Sequence, residues 1–231
     1  EYAEHPKLGA ANYRLAHHDK KTDTGVYSFC MCPGGYVLSS GTVHGQLVSN
    51  GMSNFLRGSN HANSAIVVTI DHDKTFGAKN VFGGLHYRNA MEKRGYEMVL
   101  EAGGTKQLPK QTVLDFMERR LGDVEKGSSP SGSVPARLDE LFDERFHQSM
   151  LEALASFERK MKGFISKDAQ FYGVESRTSC PIRITRDAET LESISHRGLY
   201  PTGEGAGYAG GITSAACDGI KVADRIFELV R

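Results

Sequence analysis

Residues 203 to 212 read Gly203, Glu204, Gly205, Ala206, Gly207, Tyr208, Ala209, Gly210, Gly211, Ile212, with five glycines in the nine residues before an apolar-periodic run. Gly205 to Gly210 fits the spacing G-x-G-x-x-G, which marks a dinucleotide turn when it joins a strand to a helix. Ile212, Ala216, Ile220, Ala223, Phe227 and Val230 then recur at three- and four-residue steps, predicting a helix that packs its apolar face on a sheet. A full dinucleotide fingerprint also needs a further strand and an acid about 20 positions on. The sequence stops at Arg231, so the turn does not meet that test. What survives is local: backbone without Cβ lets a ligand approach, and the unpaired N–H groups of a helix start favour an electron-rich group. Glu204 adds an acceptor for ligand hydroxyls. The plainer alternative is a tight strand-to-helix turn whose glycines serve packing; the glycine density and flanking acid favour the ligand site. A phosphate loop of the other common kind needs a lysine directly after the last glycine, where this sequence has Ile212.

Working back from the turn, Gly173 to Ser176, Ile182 to Thr185 and Gly198 to Pro201 predict short strands. Further upstream, Leu138, Leu141, Phe142, Phe146, Met150, Leu154, Phe157 and Met161 line one face of a long helix or a broken pair. The Gly127 to Pro135 stretch is a loop by composition. Leu85 to Met98 and Val113 to Leu121 predict two more helices. Before Gly84 the pattern is β-like, with strands expected near Tyr13 to His17, Gly25 to Cys32, Tyr36 to Ser40, Gln46 to Asn50 and Ser64 to Asp71. Pro33, Gly34 and Gly35 suit a hairpin between the second and third, so an antiparallel meander is expected. The fold class is therefore α+β, with a first part over residues 1–170 and a strand-loop-helix part over 171–231.

Composition narrows the partners. Lysine plus arginine balances aspartate plus glutamate at 28 each, which removes any bulk electrostatic pull toward nucleic acid or anionic lipid. The longest apolar stretch, Ala65 to Ile70, is far below the roughly 20 residues that span a bilayer. A small-molecule substrate is expected, with neither nucleic acid nor membrane as partner. Four cysteines are too few for a disulfide scaffold and point to a reducing cytoplasm. An apolar C-terminal helix face without its sheet would be covered by pairing, so a homodimer is an expected state.

Val174, Glu175, Ser176, Arg177, Thr178 and Ser179, then Pro181 to Ile184, then Gly198 to Pro201 and Gly203 to Ile212 resemble the C-terminal signature of the uncharacterised bacterial FAD-dependent dehydrogenases, NAD(P)/FAD-dependent oxidoreductases of the two-dinucleotide-fold class. Val26 to Gly35, Asn50 to Ser53 and Asn60 to Ala65 are similar to that family's middle domain, and Cys180 stands where its pattern has serine. The resemblance implies that 1–170 is a middle, substrate or cap domain and that 171–231 completes an FAD-binding α/β fold. It places Gly203, Glu204, Gly205, Ala206, Gly207, Tyr208, Gly210, Gly211 and Ile212 along the ribitol and pyrimidine side of FAD. It also implies an upstream segment with the pyrophosphate fingerprint, nicotinamide dinucleotide as electron donor, and no flavin on this chain alone. A non-catalytic module that binds a protein partner is the alternative.

Two further groups are substrate candidates. Cys30 and Cys32 form C-x-C beside the Pro33 turn, and strand alternation would aim both thiols at one site. Packed core thiols are the leading reading of that pair, and zinc is disfavoured because no second pair completes a ligand set. Arg177, with Thr178 beside it and Arg183 beyond, suits a substrate carboxylate or a nicotinamide phosphate as well as a surface ion pair. The histidines lack ligand spacing, so no metal site is expected.

Overall fold

The computed structural model describes Lys7 and residues 14–229. The elements run β1 (Ala16–Asp19), β2 (Thr24–Cys32), β3 (Gly35–Ser39), β4 (Ser49–Ser53), β5 (Asn63–Val68), α1 (His72–Phe76), α2 (Gly83–Glu101), β6 (Leu108–Thr112) and α3 (Val113–Glu118). They continue with β7 (Ser133–Pro135), a 3-10 turn (Leu138–Leu141), α4 (Glu144–Lys160), β8 (Gln170–Tyr172) and α5 (Ile212–Leu229). This is a mixture of helices with small, mainly antiparallel sheets, compatible with the α+β class. Tyr13 and Val230, at the edges of two expected elements, lie outside the described residues. The chain divides into two compact units: Glu1–Ile70 with Arg94–Val174, and Asp71–Lys93 with Glu175–Arg231.

The first unit holds most of the apolar core. Its helix α4 shows why: Met150, Ala153, Leu154 and Phe157 fall on one face and are buried, the period of an amphipathic helix. The Asp143 carboxylate caps it by accepting from the Phe146 amide at 2.8 Å, while Glu144 in its first turn and Arg159 and Lys160 in its last complement the helix dipole. That face packs with Leu15, Val26, Met98, Val113, Phe116 and Leu138. The Asp19 carboxylate ties the β1–β2 turn to α4, accepting from Thr22 Oγ1 at 2.6 Å, the Lys21 amide at 2.8 Å and Ser149 Oγ at 3.2 Å. These bonds, the Thr22 hydroxyl foremost, hold its pKa down to about 2.

The strands correct the expected meander. β2 pairs antiparallel with β1 and with β5, while β3 pairs only with β4, so the two-residue turn after Cys32 carries the chain into a different sheet instead of closing a hairpin. The cause lies at the end of β2, where Phe29 faces Ala65 but Cys32 faces Asn63. Two residues, Cys30 and Met31, thus stand against one, a β-bulge that bends the strand. β4 begins three residues later than expected, because only from Ser49 does the chain align with Ser39. In the third sheet, β6 lies between parallel β7 and antiparallel β8. Of the two forms expected for residues 138–161, a long helix or a broken pair, the chain takes the second: it breaks at Phe142 and Asp143 into the 3-10 turn and α4.

The second unit is sparser. Among the described residues its buried apolar side chains are Leu191, Pro201, Ala206 and Val222. The strands expected over 173–201 do not form: beyond β8 this stretch holds an isolated bridge between Arg186 and Ser193 and is otherwise irregular. A strand needs a pairing edge, and Ile184 instead donates its amide to the Ala206 carbonyl at 3.1 Å. The glycine turn is therefore entered from a loop. No helix among the described residues is long and apolar enough to cross a membrane.

Candidate functional site

The turn at 203–211 is closed by its own backbone. The Tyr208 amide donates to Gly203 O at 2.9 Å and the Gly207 amide to Glu204 O at 2.9 Å. Gly207 sits at φ +82°, and a Cβ there would lie 2.6 Å from Ile182 O and 2.9 Å from Arg183 Cα. Glycine at 207 is thus demanded by conformation and by the neighbouring strand of chain. Gly205 and Gly210 differ: a Cβ at either would meet nothing within 4 Å, and both residues are exposed. Ala206, between the two environments, is buried. One edge of the turn is therefore packed inward, and the other presents bare backbone leading into α5, whose first turn carries no acidic residue.

Two arginines grip the packed edge. Arg183 Nε donates to Gly207 O at 2.9 Å, and its guanidinium lies 5.0 Å from the Tyr208 ring centre. Arg186 lies closer to the same ring, at 3.7 Å. It donates to Pro201 O at 2.7 Å and forms a two-point pair with Asp218 of α5 at 3.0 and 2.7 Å. Asp218 also accepts from the Gly203 amide at 2.9 Å. Both side chains of this pair are largely buried, 6% and 12% exposed. The Arg186 bonds outweigh burial and hold the Asp218 carboxyl below its ordinary range, with the Arg186 guanidinium correspondingly raised. The Tyr208 hydroxyl donates to Ile184 O at 3.0 Å and accepts from the Arg186 amide at 3.1 Å.

Arg177, the expected anion binder, is engaged with a residue that sequence reading passed over. Glu92, on α2 and fully buried, takes Arg177 Nε at 2.9 Å and Nη2 at 2.8 Å, and accepts from Ser176 Oγ at 2.7 Å. Arg88, one turn earlier, stands 3.4 Å from the same carboxylate. Burial alone would raise the Glu92 pKa, but the Arg177 and Ser176 hydrogen bonds and the two arginine charges bring it below the ordinary value. Thr178, beside Arg177, is half-buried. The next carboxyl, Glu175, has its pKa raised by burial.

Cys30 and Cys32 belong to the first unit. Cys30 is exposed and Cys32 half-buried, so the pair is not the packed core the sequence favoured. Cys30 occupies the first bulge position at φ +57°, and the bulge interrupts the two-residue alternation that would set both thiols on one face. No group of three or more histidine, cysteine or acidic side chains that could hold a metal occurs among the described residues.

Sequence reading singled out the glycines and Glu204 for the turn and took Arg183 for an anion or ion-pair site ahead of it; Arg183 instead holds the turn through Gly207 O, and Arg186, Asp218 and Glu92 were missed. Arg186 and Asp218 are 32 residues apart, and no local pattern joins them. A hint lay in α5 itself, where Asp218 and Val222 fall four apart on the side away from the apolar stripe.

Two comparisons bear on the whole. The family model described as "FAD-dependent protein, C-terminal domain-like" matches residues 1–178, a span that ends before the glycine turn. An uncharacterised protein of Clostridium beijerinckii is 45% identical over 228 residues, covering 97% of this chain. The chain spans 42% of the length of that relative.

Proposed function

We infer a function from the premise that this chain belongs to the family of FAD-dependent proteins, C-terminal domain-like: it is the C-terminal portion of a flavin-dependent oxidoreductase, acting as an FAD-dependent dehydrogenase. The observation that carries this reading is the two-sided turn. Its inner edge is fixed by Arg183, Arg186 and Asp218, while Gly205 and Gly210 leave open backbone at the start of an 18-residue helix. That is the shape and polarity an electron-rich cofactor edge requires. Gly203 to Gly211, with Glu204 and Ile212, would hold FAD at its ribitol and pyrimidine side. FAD, when bound, supplies the two-electron chemistry that side chains lack; the chain's part is to orient that edge and to set positive helix dipole against it. A nicotinamide dinucleotide is the proposed electron donor and a small molecule the substrate.

The outward face of α5 supports the same reading. Ile212 and Ile220 are 86% and 62% exposed, an apolar face suited to the sheet of the rest of an FAD domain. The second unit, with its few buried apolar side chains, would gain its missing core there. The test is uptake of FAD by the longer parent protein and by this chain. Visible flavin absorbance from the parent and none from the chain is the expected result; a parent that takes up no FAD at micromolar concentration sinks the reading.

A further inference from the structure

We propose that Arg186 and Asp218 are positioning residues for the cofactor turn: together they latch the loop entry at Gly203 to the body of α5 and so fix the shape of the open edge that FAD meets. The proposal rests on the flavin reading above. Neither residue lies on that edge. Asp218 stands almost two helical turns inside α5 and reaches back to the first glycine of the loop, so one carboxylate spans loop and helix. Its second bond set, the two-point pair with Arg186, leaves the carboxylate little freedom to swing. Arg186 in turn is fixed on three sides: by Asp218, by Pro201 O just before the loop, and by the face of Tyr208 within it. The Tyr208 hydroxyl closes the circuit on the Arg186 amide. The loop entry, its middle and the helix are therefore connected through a single guanidinium.

The latch has a chemical reason. A turn that offers bare backbone to a ligand gains nothing from side-chain packing on that edge, so its shape must be imposed from behind. A neutral hydrogen bond would be a weak restraint. A buried, charge-assisted, bidentate pair is stiffer and directional, and the planar guanidinium stacks on Tyr208 in a way an ammonium would not.

Amide hydrogen exchange of this chain and FAD titration of the parent protein together decide the matter. Asp218→Ala is expected to speed exchange across Gly203 to Gly211 by about tenfold or more, the size of one hydrogen bond to a charged acceptor. In the parent it should raise the FAD concentration for half-saturation by a similar factor and alter the visible band shape of bound flavin. Asp218→Asn keeps an acceptor for the Gly203 amide and should recover part of both; Arg186→Lys, without the fork, should not. These milder variants also serve if Asp218→Ala fails to fold. Lower thermal stability with unchanged turn exchange and unchanged FAD affinity would overturn the proposal, since a purely structural pair predicts that pattern. A parent whose unaltered form takes up no FAD overturns the flavin reading and this proposal with it, an outcome seen in the unaltered protein before any variant is made.

Discussion

Gly205 and Gly207 stand two residues apart in one turn, and a methyl group added to each meets a different environment. Gly207→Ala forces an L side chain to φ +82° against the Ile182 carbonyl, which should cost about 1–2 kcal/mol or more in denaturant unfolding. Gly205→Ala should leave stability within about 0.5 kcal/mol of the original and yet weaken FAD uptake by the parent protein. Equal effects of the two on stability would remove the distinction between the packed and open edges. At Glu92 the prediction concerns acid. Its folded pKa lies below the ordinary value, so between the two values the unfolded chain binds more protons. Its stabilisation is therefore full above the ordinary glutamate range and is lost as pH falls through the folded pKa. Asp19 behaves alike, its share declining as pH falls below the ordinary aspartate range and gone once pH has passed through about 2. Glu92→Gln should flatten the acid limb of the unfolding curve and cost roughly 1–3 kcal/mol near neutrality, a range that allows for the partly exposed arginines. An unchanged acid midpoint would show that the cluster contributes nothing.

Among the elements, α5 shows where pattern reading succeeds and where it misleads. Its extent was legible from the spacing of Ile212, Ala216, Ile220 and Ala223, but within this chain that stripe faces outward, and the side turned inward carries Asp218 and Val222. An apolar period reports which face a helix buries in its final setting; it does not say which segment covers that face. Ile220→Ser should accordingly leave the stability of the chain within about 0.5 kcal/mol while reducing any concentration-dependent association seen by sedimentation. Val222→Ser should cost about 1–3 kcal/mol in unfolding. The reverse ranking would mean that the outward stripe is covered within the chain. Strands were harder to read than helices. β2 and β5 were evident from their β-branched and aromatic residues, but their pairing depended on the bulge at Cys30 and Met31, where nothing in the residue types announces a left-handed backbone. The expected strands at 182–185 and 198–201 failed because strand propensity is realised only against a partner edge.

For the molecule as a whole, the contrast between the units predicts two unfolding steps. The first unit has a continuous core around Phe116, Met150, Leu154 and Phe157, and Phe157→Ala should cost about 3–5 kcal/mol there. The second relies on ion pairs such as Arg186–Asp218 and Arg177–Glu92 over a small apolar interior, so it should unfold first. A single transition by both calorimetry and circular dichroism would contradict this. The expected boundary near residue 170 followed the order of elements along the chain and the family resemblance, whereas the compact units are assembled from separated segments, with Asp71–Lys93 grouped with Glu175–Arg231. Linear reading has no signal for such a return, because Glu92 and Arg177 meet across a long sequence separation.

That return sets a timetable for synthesis. α2 contributes Gly83–Lys93 to one unit and Arg94–Glu101 to the other, so the ribosome releases Glu92 well before Ser176 and Arg177 exist. At about 5–20 residues per second, the interval is roughly 4–17 s. Throughout it, a carboxylate destined for the interior waits in water without its arginine.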